Sequence, residues 1–210
     1  MRKSIFLGSL YALFLLWQNR WFSKPLTEVE IDAHLDKLAT SGKEQESADT
    51  DQANFRAFLL ADDGKPFFMV NLMQYRKQAH YPDGSHPEVE TGREANVLYS
   101  KAVVKELLKR GSYPVFLSRK LANMYSAGEG TDFFEEVGIV RYRSRRDMLE
   151  MATSPSFQSA EPHKWASMEK TVVVPTQKLM LLDPAIIVPA LLFVAAAIGK
   201  FLKTENKSHA

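Results

Sequence analysis

From Phe67 to Arg76 the chain reads FFMVNLMQYR, apolar at both parities, the pattern of a strand covered on both faces. One row holds Phe68, Val70 and Leu72; the other holds Phe67, Met69, Asn71, Met73 and Tyr75. Two polar groups, Asn71 and Tyr75, interrupt the second row. The first is therefore expected to meet helices and the second a further sheet. Downstream, Thr91 and Glu94 form a capping box before a helical run that stops at Gly111. Tyr113 to Tyr125 and Phe133 to Arg143 read as a hairpin around Gly128 and Gly130. Ser144 with Asp147 then starts a helix, Pro162 suits the first turn of another, and Thr171 to Val174 returns as a strand before Pro175. The order is β-α-β-β-α-β, the ferredoxin-like split βαβ arrangement of an α+β domain.

Upstream, Thr27 and Glu30 cap a helix over Leu26 to Ser41 with Ile31, Leu35 and Leu38 on one face. Lys43 to Thr50 is polar and linker-like. Asp51 opens a second helix through Ala61, which Asp62, Asp63, Gly64 and Pro66 end.

The two ends differ from this middle. Ile5 to Trp17 is an apolar run behind Arg2 and Lys3, and Pro184 to Gly199 is apolar without a charge. A span needs about 17–25 residues. The first run reaches that length only if it continues to Phe22 with Arg20 snorkelling; a cleaved signal peptide is the alternative, although no small-x-small site precedes Lys24. The expected organisation is an N-terminal anchor (1–24), a helical linker region (25–64), the α+β domain (65–178), a transmembrane helix (179–203) and a polar tail (204–210). Arg2, Lys3, Lys200, Lys203 and Lys207 would place both termini in the cytoplasm and the domain outside it. The bilayer then becomes a partner, and a membrane-protein partner becomes a second functional reading.

Composition narrows the chemistry. Lys and Arg number 27 against 25 Asp and Glu, so no broad basic field attracts nucleic acid. The chain has no cysteine, which excludes disulfides, thiolate metal sites and a cysteine nucleophile.

The segments MVNLMQYR, LLKRG and VGIVRYRSRRDMLEMATSPSFQSAEPHKWASMEKT, closed by VVVP, resemble the dimeric α+β barrel superfamily, specifically its small members of unknown function. The likeness runs from Phe67 to Thr176. It implies two ferredoxin-like sheets packed face to face in a homodimer. Relatives include cofactor-independent monooxygenases, muconolactone isomerase-like enzymes and haem-binding chlorite dismutase-like proteins, so the resemblance implies a fold and no single activity. The long Lys77 to Glu90 loop, the helices before Phe67 and the terminal segments depart from compact members.

Asn71, Tyr75 and Arg141 are the candidate ligand-binding residues. On the expected orientation Asn71 and Tyr75 project between paired sheets, where buried polar groups bond one another and Arg141 or orient a small hydrophobic ligand. The Arg141 guanidinium suits an anionic or phenolic group, or pairs with a carboxylate at a strand end. His163 is the candidate catalytic base, against a plain hydrogen bond at a helix end. An enzyme built this way would be cofactor-independent and oxygenase- or isomerase-like; no cofactor and no metal is expected. His80, Asp83, His86, Glu88 and Glu90 fit no compact zinc spacing and read as a solvated loop. Arg143, Arg145 and Arg146 pair with Asp147 and Glu150 or face lipid headgroups.

Overall fold

The computed structural model describes residues 9, 13–14, 16–18, 24–40, 49–125, 128, 130, 132–179, 191 and 194. The chain divides into Met1–Gln177 and Lys178–Ala210, and the elements below belong to the first unit. They are α1 (Glu28–Thr40), α2 (Asp49–Leu60), β1 (Phe67–Tyr75), α3 (Gly92–Lys109), β2 (Tyr113–Arg119), β3 (Glu136–Tyr142), α4 (Arg145–Ala152), α5 (Pro155–Ser167) and β4 (Met168–Thr176). The strands form one sheet in the order β2-β3-β1-β4. Every neighbouring pair is antiparallel. The domain is thus α+β, with a four-stranded antiparallel sheet and a layer of helices.

Register decides which row of β1 meets the helices. Phe67 lies opposite Tyr142, Met69 opposite Val140 and Asn71 opposite Gly138. Phe67, Met69, Tyr142 and Val140 all belong to or pack on the core formed with Val103, Leu107 and Leu149. The Phe67 and Tyr142 rings stack at 5.2 Å between centroids. The Asn71 row therefore faces the helices, the reverse of the expected orientation. Its polar groups tolerate that burial because each has a partner. Asn71 Nδ2 donates to the carbonyls of Met69 and Gly138 at 3.1 and 3.3 Å. The Tyr75 hydroxyl is held between Glu136 and Asn96. Phe68, Val70 and Leu72 share the other face with Ile139, Val172 and Val174, and none of these joins the core cluster.

The core extends past the sheet. Leu26, Ile31 and Leu59 lie in the same cluster as Phe67 and Leu149, so α1 and α2 pack on the domain. Arg146 clamps this junction by donating to both Glu30 carboxylate oxygens at 2.6 and 3.0 Å. These bonds hold the Glu30 carboxyl down at about 2. Arg145 pairs with Asp62 and Arg143 with Asp147, so each of the three arginines has a carboxylate within the protein. β4 runs on through Pro175, which pairs opposite Met69; an edge strand accepts a proline because one side of its ladder is free. Helix α5 starts at Pro155 behind its Ser154 cap, seven residues before Pro162, which sits in its interior.

The membrane-anchored reading is overturned: among the described residues no helix is long and apolar enough to cross a membrane. The expected spans over 1–24 and 179–203 fall largely outside the described residues. Where the first is described, it binds the domain. Gln18 is buried and its Nε2 donates to the Gly111 carbonyl at 2.9 Å, while the Trp17 ring lies 4.8 Å from the Arg143 guanidinium. The two-span topology with cytoplasmic termini and the bilayer as partner fall with that reading.

Gly92 opens α3 behind the complete Thr91–Glu94 capping box. A Cβ there would stand 2.6 Å from both the Arg76 and Ser167 carbonyl oxygens. Since neither backbone can move alone, Gly92→Ala is expected to cost about 1–3 kcal/mol of stability, read from urea unfolding. An unchanged midpoint would show that this junction yields.

Candidate functional site

The Lys77 to Glu90 segment is tied down by backbone bonds. Arg76 N donates to Ser167 O at 2.9 Å, His80 N to Ala166 O at 3.0 Å, Ala79 N to Glu90 O at 2.9 Å and Gly92 N to Arg76 O at 3.2 Å. The loop is thereby closed on itself and fixed to the last turn of α5. Within it, Gly84 N donates to Tyr81 O at 3.0 Å, completing the turn expected from Pro82, Asp83 and Gly84. Gly84 adopts φ +69° with nothing near a would-be Cβ, so glycine is there for its conformation.

This loop carries Tyr81 to His163 on α5. The Tyr81 hydroxyl and His163 Nδ1 lie 2.7 Å apart, and the two rings meet edge-on with centroids at 5.7 Å. His86 completes the group, its ring 4.7 Å from His163 and 5.0 Å from Tyr81. His86 has φ 57°, a left-handed conformation uncommon outside glycine, and its Nδ1 is 3.2 Å from Glu88 Oε1. Strained backbone of this kind gathers at functional sites.

The protonation states suit proton transfer. Burial, followed by the neighbouring His86, pushes the His163 imidazole below its ordinary range, so it is neutral at pH 7. Burial, followed by the Glu88 charge, pushes the Tyr81 phenol up. A neutral imidazole beside a neutral phenol offers one ring nitrogen as base and one hydroxyl as donor. Among the described residues no group of three or more His, Asp or Glu side chains is placed to hold a metal ion.

The other three sequence candidates are not brought together. Tyr75 is buried under α3; its hydroxyl donates to Glu136 Oε1 at 2.7 Å and accepts from Asn96 Nδ2 at 3.1 Å, with the Arg93 guanidinium 4.6 Å from the ring centroid. Burial and the Glu136 bond push its phenol up, keeping it a neutral donor. Asn71 is on the same face, bonded to strand carbonyls. Arg141, opposite Phe68, lies on the other face; its Nη2 donates to Gln18 O at 3.2 Å and its guanidinium lies 5.6 Å from the Tyr113 ring centroid.

Tyr81 and His86 were missed as partners of His163. The turn signal at Pro82–Gly84 and the loop's histidines were legible, but 82 residues separate Tyr81 from His163. Only the closed loop joins them.

The domain is similar to solved structures. RPA0582, a protein of unknown function from Rhodopseudomonas palustris, matches at 25% identity and TM-score 0.54, over 65% of this chain and 97% of that one. The methylated RPA0582 protein gives 25% identity and TM-score 0.55, over 66% and 96%. Rv0793 from Mycobacterium tuberculosis is more distant, at 17% identity and TM-score 0.38, covering 57% of this chain and 100% of that one. No protein-family model matches the chain, and the comparison with curated proteins finds no match. The α+β fold is shared with small proteins of unknown function.

The depressed His163 proton affinity has a measurable sign. Its imidazole proton resonances should titrate with a midpoint below the ordinary 6.5, and His86→Gln should raise that midpoint. Because the folded value is the lower one, the stability this contributes is complete above the unfolded value near 6.5 and is lost as pH falls through the folded value. A midpoint at or above 6.5 would contradict the burial argument.

Proposed function

We propose that Tyr81 and His163 form a cofactor-independent acid–base site that moves a proton on a small carbonyl compound. The observation that carries this reading is the 2.7 Å contact between the Tyr81 hydroxyl and His163 Nδ1 beside a left-handed His86. In the working tautomer, Nδ1–H donates to the Tyr81 oxygen and Nε2 keeps its lone pair. The Tyr81 proton then binds the substrate carbonyl oxygen. Nε2 takes a proton from the adjacent carbon, and the C–H electron pair moves into the carbonyl to give an enolate that the phenol stabilises. On a saturated ketone, return of the proton to the same carbon gives exchange with solvent; on a β,γ-unsaturated carbonyl compound, return at the γ-carbon of the dienolate gives the conjugated isomer, and either outcome restores the imidazole.

Asn71 and Tyr75 enter this reading as positioning groups. Both lie on β1, whose end continues into the loop that carries Tyr81. Arg141 is a ligand contact on the far face, offered to an anionic or phenolic group. The fold fits the ferredoxin-like βαββαβ type of the dimeric α+β barrel superfamily, supported by the strand order and by the likeness to RPA0582. A homodimer paired through the face holding Phe68, Val70, Ile139 and Val174 would cover apolar area that the helices leave open.

The activity test is α-proton exchange of small enolisable ketones in deuterated water, followed by NMR. The full chain should accelerate exchange, and His163→Ala should lower that acceleration by about 10²-fold or more. Equal exchange with and without the imidazole sinks the reading. For the assembly, sedimentation should give a dimer that Ile139→Arg converts to monomer; a monomeric wild-type chain would remove the pairing.

A further inference from the structure

A proton taken up by His163 Nε2 has to reach solvent, and the far side of the ring offers it no exit. Nδ1 faces the Tyr81 hydroxyl at 2.7 Å, and both side chains are half-buried. Exchange therefore needs a group that meets the imidazole on one side and water on the other. His86 has that placement. Its ring lies 4.7 Å from the His163 ring and 5.0 Å from Tyr81, while its own side chain is 42% exposed. The loop fixes it from both directions. Asp83 Oδ1 accepts from Ser85 N at 3.0 Å, and Val89 N donates to His86 O at 3.0 Å, so the chain turns just before His86 and again just after it. Between these turns His86 takes its left-handed φ of 57°, with its ring against His163.

Glu88 sets the tautomer of that ring. An ionised carboxylate only accepts hydrogen bonds, so the 3.2 Å contact between His86 Nδ1 and Glu88 Oε1 puts the proton on Nδ1 and leaves a lone pair on Nε2. Glu88 is ionised at neutral pH: its own backbone N–H, and after it His86, hold the carboxyl below the ordinary carboxylate range. One nitrogen is thus ready to accept a proton, and the carboxylate on the other stabilises the imidazolium that results. A ring serving only to cover Tyr81 and His163 would need neither a fixed tautomer nor contact with solvent.

We propose that His86, oriented by Glu88, relays protons between His163 and solvent. The assignment rests on the Tyr81–His163 acid–base reading and adds a positioning pair to it, since neither His86 nor Glu88 touches the reacting carbon. The proton on His163 Nε2 passes through one bridging water to the Nε2 lone pair of His86, giving an imidazolium paired with Glu88. From there it exchanges with bulk water. In deuterated water a deuteron returns along the same route to His163 and the substrate carbon, one proton leaving for each deuteron taken up.

The experiment follows methyl-proton exchange of acetophenone in deuterated water with the full-length protein, in weak buffer and again with added imidazole, each corrected for exchange in buffer alone. His86→Asn is the variant of choice, because asparagine tolerates a left-handed backbone and removes the imidazole without straining the loop. In weak buffer it should slow exchange ~10-fold or more, and added imidazole should restore most of the loss while changing the wild-type rate little. Equal rates for wild type and His86→Asn in weak buffer would overturn the relay. A loss that imidazole does not restore would overturn it as well, by marking His86 as a structural contact. His163→Ala, measured alongside, separates the two levels of the argument. If the wild-type chain gives no exchange, or exchange persists without the His163 imidazole, the acid–base reading fails and the relay with it; exchange that needs His163 and not His86 overturns the relay alone.

Discussion

The junction of Arg76, Gly92 and Ser167 is the constraint on which the rest of the domain depends. Three chain segments meet there through backbone hydrogen bonds: the end of β1, the start of α3 and the last residue of α5. The approach is so close that a single Cβ at Gly92 would collide with two carbonyl oxygens. These backbone bonds satisfy main-chain donors and acceptors at the junction and fix how closely the end of β1, the start of α3 and the end of α5 approach. The same junction closes the Lys77 to Glu90 loop against α5. Tyr81 and His163 meet because the backbone brings them there.

The second organising feature is the distribution of polar groups on the helix side of the sheet. Tyr75, Asn96 and Glu136 are tied by bonds of 2.7 and 3.1 Å, with Arg93 3.5 Å from Glu136, and Asn71 on the same face is bonded to strand carbonyls at 3.1 and 3.3 Å. Elsewhere in this layer the contacts are apolar, with Tyr142 stacked on Phe67 and Tyr99 edge-on to Phe157. A low-dielectric interior strengthens the hydrogen-bonded arrangement. The opposite sheet face is simpler, an apolar surface on which the buried Arg141 donates to the carbonyl of Gln18.

Much of the domain was legible in local chemistry. The Thr91–Glu94 capping box appears as read, as do the Thr27–Glu30 and Ser144–Asp147 pairs. These signals act over three residues, so the chain carries them regardless of fold. The orientation of β1 was not legible. Its two rows differ by polar atoms in one of them, and hydrophobic patterning assigns such a row to the less demanding face. The register with β3 reversed that, since Tyr142 and Gly138 supply a ring for Phe67 and a carbonyl for Asn71. The apolar termini invited a membrane reading for a related reason: hydropathy counts residues and does not register that Gln18 has a carbonyl partner in Gly111.

What the chain determined alone was the kind and order of its elements, because caps, turns and apolar periodicity are interactions between near neighbours. The tertiary structure decided which face of the sheet each side chain occupies and which distant residues share a site. Tyr81 with His163 is a pair made by packing across 82 positions. No local interaction encodes such a pairing. It arises when the backbone junction and the register of four strands are satisfied together, and only then does an ordinary histidine acquire a phenol, a second imidazole and a lowered proton affinity.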